Sequence, residues 1–474
     1  MKNLFVRILA CILVFTMAFA FAACKDESDD EGGKTPTPPA TGEDSGNTGD
    51  WFNPGNNNEN DDPSSGETCI VCKDENEDLV CDVCGGPVEK PYDPWDDVKY
   101  FAVPGSSVTL SVFDIDIDGK IKNIQLPKGS TMLFEFDYTA AAASSFAIKF
   151  DAETVKVAFN ADGKIAILKG DTQLAVSTAA YTGTSKVAID WNGAKITVKV
   201  NNAEAVSADY AAPAELKNNA ELYLLAGTGS KFENTKATFG GSSLEFRNSY
   251  GLAWEIITEE GSAYKDALYA GAEEGRKPNG YNCMAFITNV DFAKASKITI
   301  SANIAQGAQY EGGCDRGFLL EVWNTNGQNN TTPLAYEGEN MSFFKLYLGG
   351  YGANAEFGKW GATNLEEAAD NKKGWKRIVI NGAVTTEKAE IVGEGPKTED
   401  DKELYKQTTP VIGEYTNLKV EWDRENYVMT WYYNDILCRS VKLSEDIFLN
   451  DGSGIGIATN VGDTYFSDFV LIVE

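Results

Sequence analysis

From about Val98 onward the chain is written in period two. Short runs of β-branched and aromatic residues alternate with polar ones and are broken by Gly, Asn and Asp, as in residues 132–138, 145–150, 154–159 and 164–168. Successive side chains of a strand point to opposite faces, so each run has one face to bury and must pack in layers. Asn160-Ala-Asp-Gly163 has the composition of a hairpin turn between two of these runs. Strands spaced by about 8–12 residues, with no 3.6-residue period between them, predict an all-β sandwich rather than a bundle or an α/β sheet.

The pattern occurs twice. Residues 186–191, a turn at Asn192-Gly193 and residues 195–202 form one hairpin; residues 418–422, a turn near Arg424-Glu425-Asn426 and residues 427–435 form another. Each is followed by a Gly-containing strand (221–227; 454–458) and a Phe-bearing strand (231–239; 465–471). This paired ending resembles concanavalin-A-like and laminin-G-like jelly rolls. The resemblance implies two tandem jelly-roll sandwiches, domain one over 98–241 and domain two over 242–474. Inside the second, Thr363-Asn-Leu-Glu366 fits a capping box opening a short helix through Ala369. The charged, Gly-rich stretch 381–413 predicts a long hairpin or mobile loop.

The N-terminus reads as an address. Lys2 and Arg7 precede an apolar run over 8–22 that is short for a transmembrane helix and fits a secretory signal. Phe21-Ala22-Ala23-Cys24 resembles a bacterial lipobox. That resemblance implies a signal peptide over 1–23 and a lipid-modified Cys24, holding a lipoprotein on the outer face of the cytoplasmic membrane. The membrane would be touched through the anchor alone, whose acyl chains each contribute about 0.8 kcal/mol per buried CH₂. Residues 24–66 are rich in Asp, Glu, Gly, Pro, Asn and Thr and nearly free of aliphatics, which predicts a disordered acidic tether.

A four-cysteine knuckle follows over 67–90. Cys69-Ile-Val-Cys72 and Cys81-Asp-Val-Cys84-Gly-Gly can present four thiolates to one structural Zn²⁺; two disulfides are the rival outside the cell. Asp74, Asn76 and Asp78 set oxygen ligands at alternating positions and so suggest Ca²⁺. However, Leu79 stands where a calcium loop has Gly, and Gly85 where it has the closing Glu. The segment resembles a small module of clostridial-type surface proteins, which implies a spacer.

The formal charge of −30 argues against nucleic acid, and more than half of it lies in 25–97, with 21 acidic and four basic side chains. The chain has no histidine, which removes imidazole bases, Ser–His and Cys–His nucleophiles and His-ligated metals. Binding is therefore favoured over catalysis. Domain one has Trp191; domain two has Trp254, Trp323, Trp360, Trp375, Trp422 and Trp431. Flat sugar faces stack on such rings while sugar hydroxyls need carboxylates and amides. Strand alternation groups Glu321, Trp323, Lys345 and Tyr347 on one mixed face, with Tyr310, Asp315, Arg316, Tyr351 and Trp360 as its rim. The alternative for each aromatic is core packing.

Glu421-Trp-Asp423-Arg-Glu425 resembles the E-x-D-x-E motif of family 16 glycoside hydrolases, but it falls inside the hairpin, so Glu425 should leave the strand. Asp114-Ile-Asp116-Ile-Asp118-Gly119 reads as a strand and turn rather than a Ca²⁺ loop. Cys283, Cys314 and Cys438 read as small buried hydrophobes. The function expected is a surface lipoprotein that binds extracellular polysaccharide or glycoprotein glycan through the second jelly roll. The alternatives are a glycan-active hydrolase or lyase, or an adhesive protein with a protein partner.

Overall fold

The structure, a computed structural model, describes residues 99–248, 253–271, 283–307, 318–324, 341–349, 352–360, 375–380, 383–384, 389–402, 411–443, 453–459 and 464–474. The chain divides between Val88 and Glu89. Cys24, the tether, the four-cysteine segment and the helix expected at 363–369 lie outside the described residues.

Among the described residues every regular element is a strand. In the first half these are β1 (Tyr100–Val103), β2 (Ser107–Leu110), β3 (Lys120–Leu126), β4 (Ser130–Ala140), β5 (Ser144–Phe150), β6 (Glu153–Phe159), β7 (Ile165–Lys169), β8 (Thr172–Val176), β9 (Gly183–Trp191), β10 (Lys195–Val200), β11 (Ala203–Asp209), β12 (Ala220–Leu225), β13 (Lys231–Gly241) and β14 (Leu244–Asn248). Then come β15 (Ala253–Ile256), β16 (Leu268–Gly271), β17 (Cys283–Ile287), β18 (Lys297–Gln306), β19 (Phe318–Asn324), β20 (Met341–Gly349), β21 (Gly352–Trp360) and β22 (Trp375–Ile380). The last are β23 (Ala383–Val384), β24 (Ala389–Glu394), β25 (Thr416–Asp423), β26 (Val428–Tyr433), β27 (Ile436–Leu443), β28 (Ser453–Thr459) and β29 (Thr464–Val473).

They form three sheets. One has six strands in the order β3-β12-β5-β6-β7-β8, and one has nine, β1-β14-β17-β28-β19-β20-β21-β22-β23. The largest has fourteen and runs β11-β10-β9-β4-β13-β2-β29-β18-β25-β26-β27-β24, with the β15–β16 pair attached to β29. Aromatic contacts show which faces meet. Phe134 of β4 stacks on Phe146 of β5 at 4.8 Å, and Phe150 of β5 meets Trp191 of β9 edge-on at 5.7 Å. Phe246 of β14 packs on Phe469 of β29 at 4.6 Å. One long sheet thus backs two sandwiches, and the all-β class expected from the alternation is what the chain adopts. The alternation itself is visible in β25, where Leu418, Val420 and Trp422 are buried and the residues between them are half-buried.

The two sandwiches are hydrogen-bonded to each other in both layers. In the long sheet β2 pairs antiparallel with β13 and parallel with the end of β29, from Ser107 opposite Val470 to Leu110 opposite Val473. The start of β29 pairs with β16, and its other edge pairs with β18. The last strand of the chain is therefore shared. In the opposing layer β1 pairs with β14, and β3 meets the loop after β17: Gln125 N–H donates to the Asn289 carbonyl at 2.9 Å, and Asp291 N–H to that of Asn123 at 3.0 Å.

Buried polar side chains finish the seam. The Asn289 amide donates to the carbonyls of Gln125 (2.9 Å) and Ser243 (2.8 Å), and its Oδ1 accepts from Glu245 N–H (2.8 Å). The Ser106 hydroxyl donates to the Val103 carbonyl at 2.7 Å and accepts from Leu244 N–H at 3.0 Å. Burying such groups is tolerable only because their hydrogen bonds are made.

Of the polar stretch 381–413, the described part contains a paired strand: β24 runs antiparallel to β27 at the edge of the long sheet. Part of the stretch expected as a long hairpin or mobile loop is therefore an edge strand, a site where charged residues guard against further pairing. Cys438 is buried, and burial pushes its thiol pKa up. Cys283 begins β17, and Cys314 lies outside the described residues.

One ion cluster on the first sandwich has a pH signature. Glu221 accepts from Lys120 Nζ at 2.5 Å and Tyr223 Oη at 2.8 Å, with Lys149 Nζ at 3.4 Å. The Lys120 and Tyr223 hydrogen bonds hold its carboxyl at about 2, below the usual 4.5. A depressed carboxyl contributes stability that is present above the unfolded value and lost as pH falls through the folded one. Glu221→Gln is expected to lower stability at neutral pH and to make its decline between about pH 5 and pH 2 shallower. Urea unfolding across that range checks this; parallel curves for the two proteins would contradict it.

Candidate functional site

The second sandwich turns one face of the long sheet away from its core. Ile298, Ile300, Leu418, Val420, Trp422, Met429, Trp431 and Phe466 point inward and are buried. Between them Thr299, Ser301, Asn303, Asn417, Lys419, Glu421, Thr430, Tyr432, Tyr465 and Ser467 are half-buried and Asp468 is exposed, with the aliphatic Val428, Val470 and Ile472 on the same side.

Four tyrosines meet on this side. Register sets Tyr269 of β16 opposite Tyr465 of β29, with ring centroids 4.7 Å apart. The turn between β15 and β16 is closed by Asp266 N–H to the Ile257 carbonyl (2.8 Å), with Asp266 at φ +67°. That turn returns Tyr264 onto Tyr465, stacked at 3.8 Å and 10° between planes. Tyr415, just before β25, meets Tyr264 edge-on at 5.8 Å, and Tyr264 Oη donates to the Gly413 carbonyl at 3.2 Å. The edge-on Tyr264–Tyr415 pair is a favoured arrangement of such rings, whereas Tyr264 and Tyr465 lie closer than the usual separation of about 4.5–7 Å and cover one face of each other.

A row of polar side chains continues the cluster across the sheet. Asp468, at a bulge with φ +50°, accepts from Asn303 Nδ2 (2.7 Å) and Ser467 Oγ (3.2 Å). Asn303 Oδ1 in turn accepts from Asn417 Nδ2 at 2.9 Å. Further along, Glu421 accepts from Tyr432 Oη (3.0 Å) and pairs with Lys419 Nζ (3.3 Å), which sits 3.9 Å from the Tyr432 ring centroid. Burial and the Glu421 carboxylate push the Tyr432 phenol up to about 12, and burial raises Tyr415. Both phenols are therefore neutral donors at physiological pH. Aromatic faces beside amide and carboxylate groups suit a ring-shaped ligand carrying many hydroxyls.

The residues expected from sequence lie on the other sheet. Register sets Glu321 opposite Lys345, Trp323 opposite Phe343, Tyr347 opposite Leu319 and Trp360 opposite Met341. Backbone alternation then puts Glu321, Trp323, Lys345, Tyr347 and Trp360 on one face, of opposite parity to the buried Leu346, Ile455 and Ile457. Along the same row Gly456 stands between Glu321 and Phe286, and Phe286 is itself buried. A Cβ on Gly456 would lie 2.6 Å from the Ala285 carbonyl oxygen, so glycine permits this close approach. Tyr310, Asp315, Arg316 and Tyr351 lie outside the described residues, as do Cys69, Cys72, Cys81, Cys84, Asp74, Asn76 and Asp78.

Three of the six tryptophans counted in the second domain, Trp254, Trp422 and Trp431, are core residues. The acidic motif does not align on one strand face. Glu421 lies within β25, Asp423 ends it and accepts from Asn426 N–H (2.9 Å) and Nδ2 (2.8 Å), and Glu425 stands in the turn. Asp116 likewise makes a turn, its Oδ1 accepting from Asp118 and Lys120 N–H at 2.9 Å each, with Gly119 at φ +81°. Asp114 is held below its usual pKa by Lys294 and Lys122. Among the described residues no group of three or more Cys, Asp and Glu side chains is placed to hold a metal.

No local signal announces Tyr264, Tyr269, Tyr415 and Tyr465 as a group, since β16 must first dock on β29. No family model matches the chain, and no curated protein matches it. Among solved structures it is similar to domains LG4-5 of the mouse laminin alpha1 chain, at 10% identity and TM-score 0.22, over 81% of this chain and 90% of that one. It is also similar to the full extracellular region of zebrafish Gpr126/Adgrg6, at 8% identity and TM-score 0.20, over 77% of this chain and 35% of that one.

Proposed function

We propose that this chain is a lipid-anchored surface protein that binds extracellular carbohydrate through its second sandwich. The observation that carries the reading is the half-buried tyrosine cluster Tyr264–Tyr269–Tyr415–Tyr465, continuous with the polar row Asp468–Asn303–Asn417. Sugar rings stack their apolar faces on aromatic planes and spend their hydroxyls on amides and carboxylates. The near-absence of basic residues in this row disfavours a polyanion. The surface location rests on the basic n-region, the apolar run and Cys24. Glycan-array binding of residues 24–474 tests the reading. Binding to one or more plant, mucin or microbial glycans is expected, weakened about tenfold or more by Tyr264→Ala with Tyr465→Ala. A blank array, or captured protein whose binding survives deglycosylation, would contradict it.

The four cysteines 69, 72, 81 and 84 then hold one structural Zn²⁺ in a spacer between tether and sandwiches, with Asp74, Asn76 and Asp78 as Ca²⁺ candidates between the cysteine pairs. Metal analysis of the purified chain is expected to give one zinc per chain. A native mass corresponding to two disulfides would contradict this.

A further inference from the structure

A cleft of about 610 Å³ opens where the two sandwiches join. One wall comes from β1 and β14, through Tyr100 and Glu245; the other comes from the first sandwich, through Lys149, Asp151, Asn218 and Asn219. The seam holds the walls in place. Asn289 ties the Gln125 carbonyl of one sandwich to the Ser243 carbonyl and Glu245 N–H of the other. Asn219 Nδ2 donates across the cleft to Glu245.

The polar groups are set before any ligand arrives. Asp151 accepts from Lys217 N–H and Asn218 Nδ2, both at 2.7 Å, which holds the carboxylate and the segment 217–219 in one geometry. Lys149 is paired with Glu221 at 3.4 Å. Three carboxylates, Asp151, Glu221 and Glu245, face two ammonium groups, Lys149 and Lys217, so the cleft selects neither a strong anion nor a strong cation. No aliphatic side chain lines it, which disfavours an apolar ligand. What remains is alternating donors and acceptors beside one ring, since Tyr100 is 58% exposed. Each bound carboxylate oxygen and amide keeps further hydrogen-bonding capacity. A hydroxyl both gives and accepts, so vicinal hydroxyls on a ring match this lining, and the volume is in the range of small-molecule sites.

From this geometry we infer that the seam cleft is a second carbohydrate site, taking a neutral oligosaccharide against Tyr100 and between Asp151, Asn218 and Glu245. The inference rests on the glycan-binding reading above but uses different residues. It also gives the joined sheets a role, because neither sandwich alone supplies both walls.

The test is isothermal titration of residues 24–474 with neutral hexasaccharides of glucose (β-1,4 and α-1,4), xylose and mannose. Three proteins are compared: wild type, Tyr100→Ala with Asn218→Ala, and Tyr264→Ala with Tyr465→Ala. The substituted cleft side chains are exposed, and unchanged thermal unfolding confirms that the variants fold. Asp151→Asn, which keeps size and acceptor oxygen, is the second cleft variant. The inference expects a binding event that the cleft variants weaken about tenfold or more and the tyrosine-face variant leaves in place. Binding untouched by every cleft variant overturns the inference and leaves the tyrosine-face reading standing. No binding by wild type to any of these sugars overturns the inference, and the glycan array then decides the tyrosine-face reading separately.

Discussion

Deleting residues 464–474 is expected to unfold both sandwiches, not only the second. β29 buries Phe466, Phe469, Leu471 and Val473. At about 1.5–3 kcal/mol for each fully buried side chain, they contribute about 6–12 kcal/mol. Whole domains have only about 5–15 kcal/mol of net stability. The deletion also removes the partner of β18 along its length, of β16, and of β2 in its parallel pairing, leaving three unpaired strand edges in the middle of the long sheet. Such edges are templates for aggregation. Circular dichroism and limited proteolysis check the outcome: loss of the β signal and rapid digestion throughout. A protease-resistant, monomeric fragment spanning 98–241 would show that the first sandwich stands without the shared strand.

Asn289→Ala is expected to cost about 3 kcal/mol or more, since each of the Gln125 and Ser243 carbonyls and the Glu245 N–H loses this partner at about 1–3 kcal/mol. Asn289→Asp should be worse at neutral pH. It keeps an acceptor for Glu245 N–H but sets a carboxylate against two carbonyl oxygens in a buried site. Urea unfolding gives both numbers. A change below about 1 kcal/mol for the alanine variant would mean that water or a backbone shift replaces all three bonds. Because Asn289 holds both walls of the seam cleft, its loss should also loosen any ligand bound there.

The fold class was legible because period-two alternation is local. Leu418, Val420 and Trp422 share a parity, and all three are buried; Lys419 and Glu421 share the other and form an ion pair on the outer face. The same alternation already marked Trp422 as core, so counting tryptophans as ring donors overlooked information carried by their neighbours. What could not be read locally were pairings over long separations. β2 lies beside β29 although more than three hundred residues separate them, and parallel pairing leaves no hairpin turn to betray it. The tyrosine cluster has the same origin. Tyr264 and Tyr415 sit outside strands, and Tyr465 is one alternating aromatic among several until β16 docks beside it. Asn289 carries no signature either, since a loop asparagine is ordinarily a turn residue.

The charge distribution follows the same division of labour. The acidic excess of residues 25–97 precedes the described strands, so it lies on neither sandwich. Both proposed recognition surfaces lie on the sandwiches, in side chains whose polar groups are already held by one another.

The most direct measurement is affinity electrophoresis of residues 24–474 through gels containing soluble neutral polysaccharides, run beside Tyr264→Ala with Tyr465→Ala. Retardation of the wild-type chain in at least one gel, reduced in the tyrosine variant, is the predicted result. Identical mobility of both proteins in every gel and in the sugar-free control would contradict carbohydrate recognition by this face.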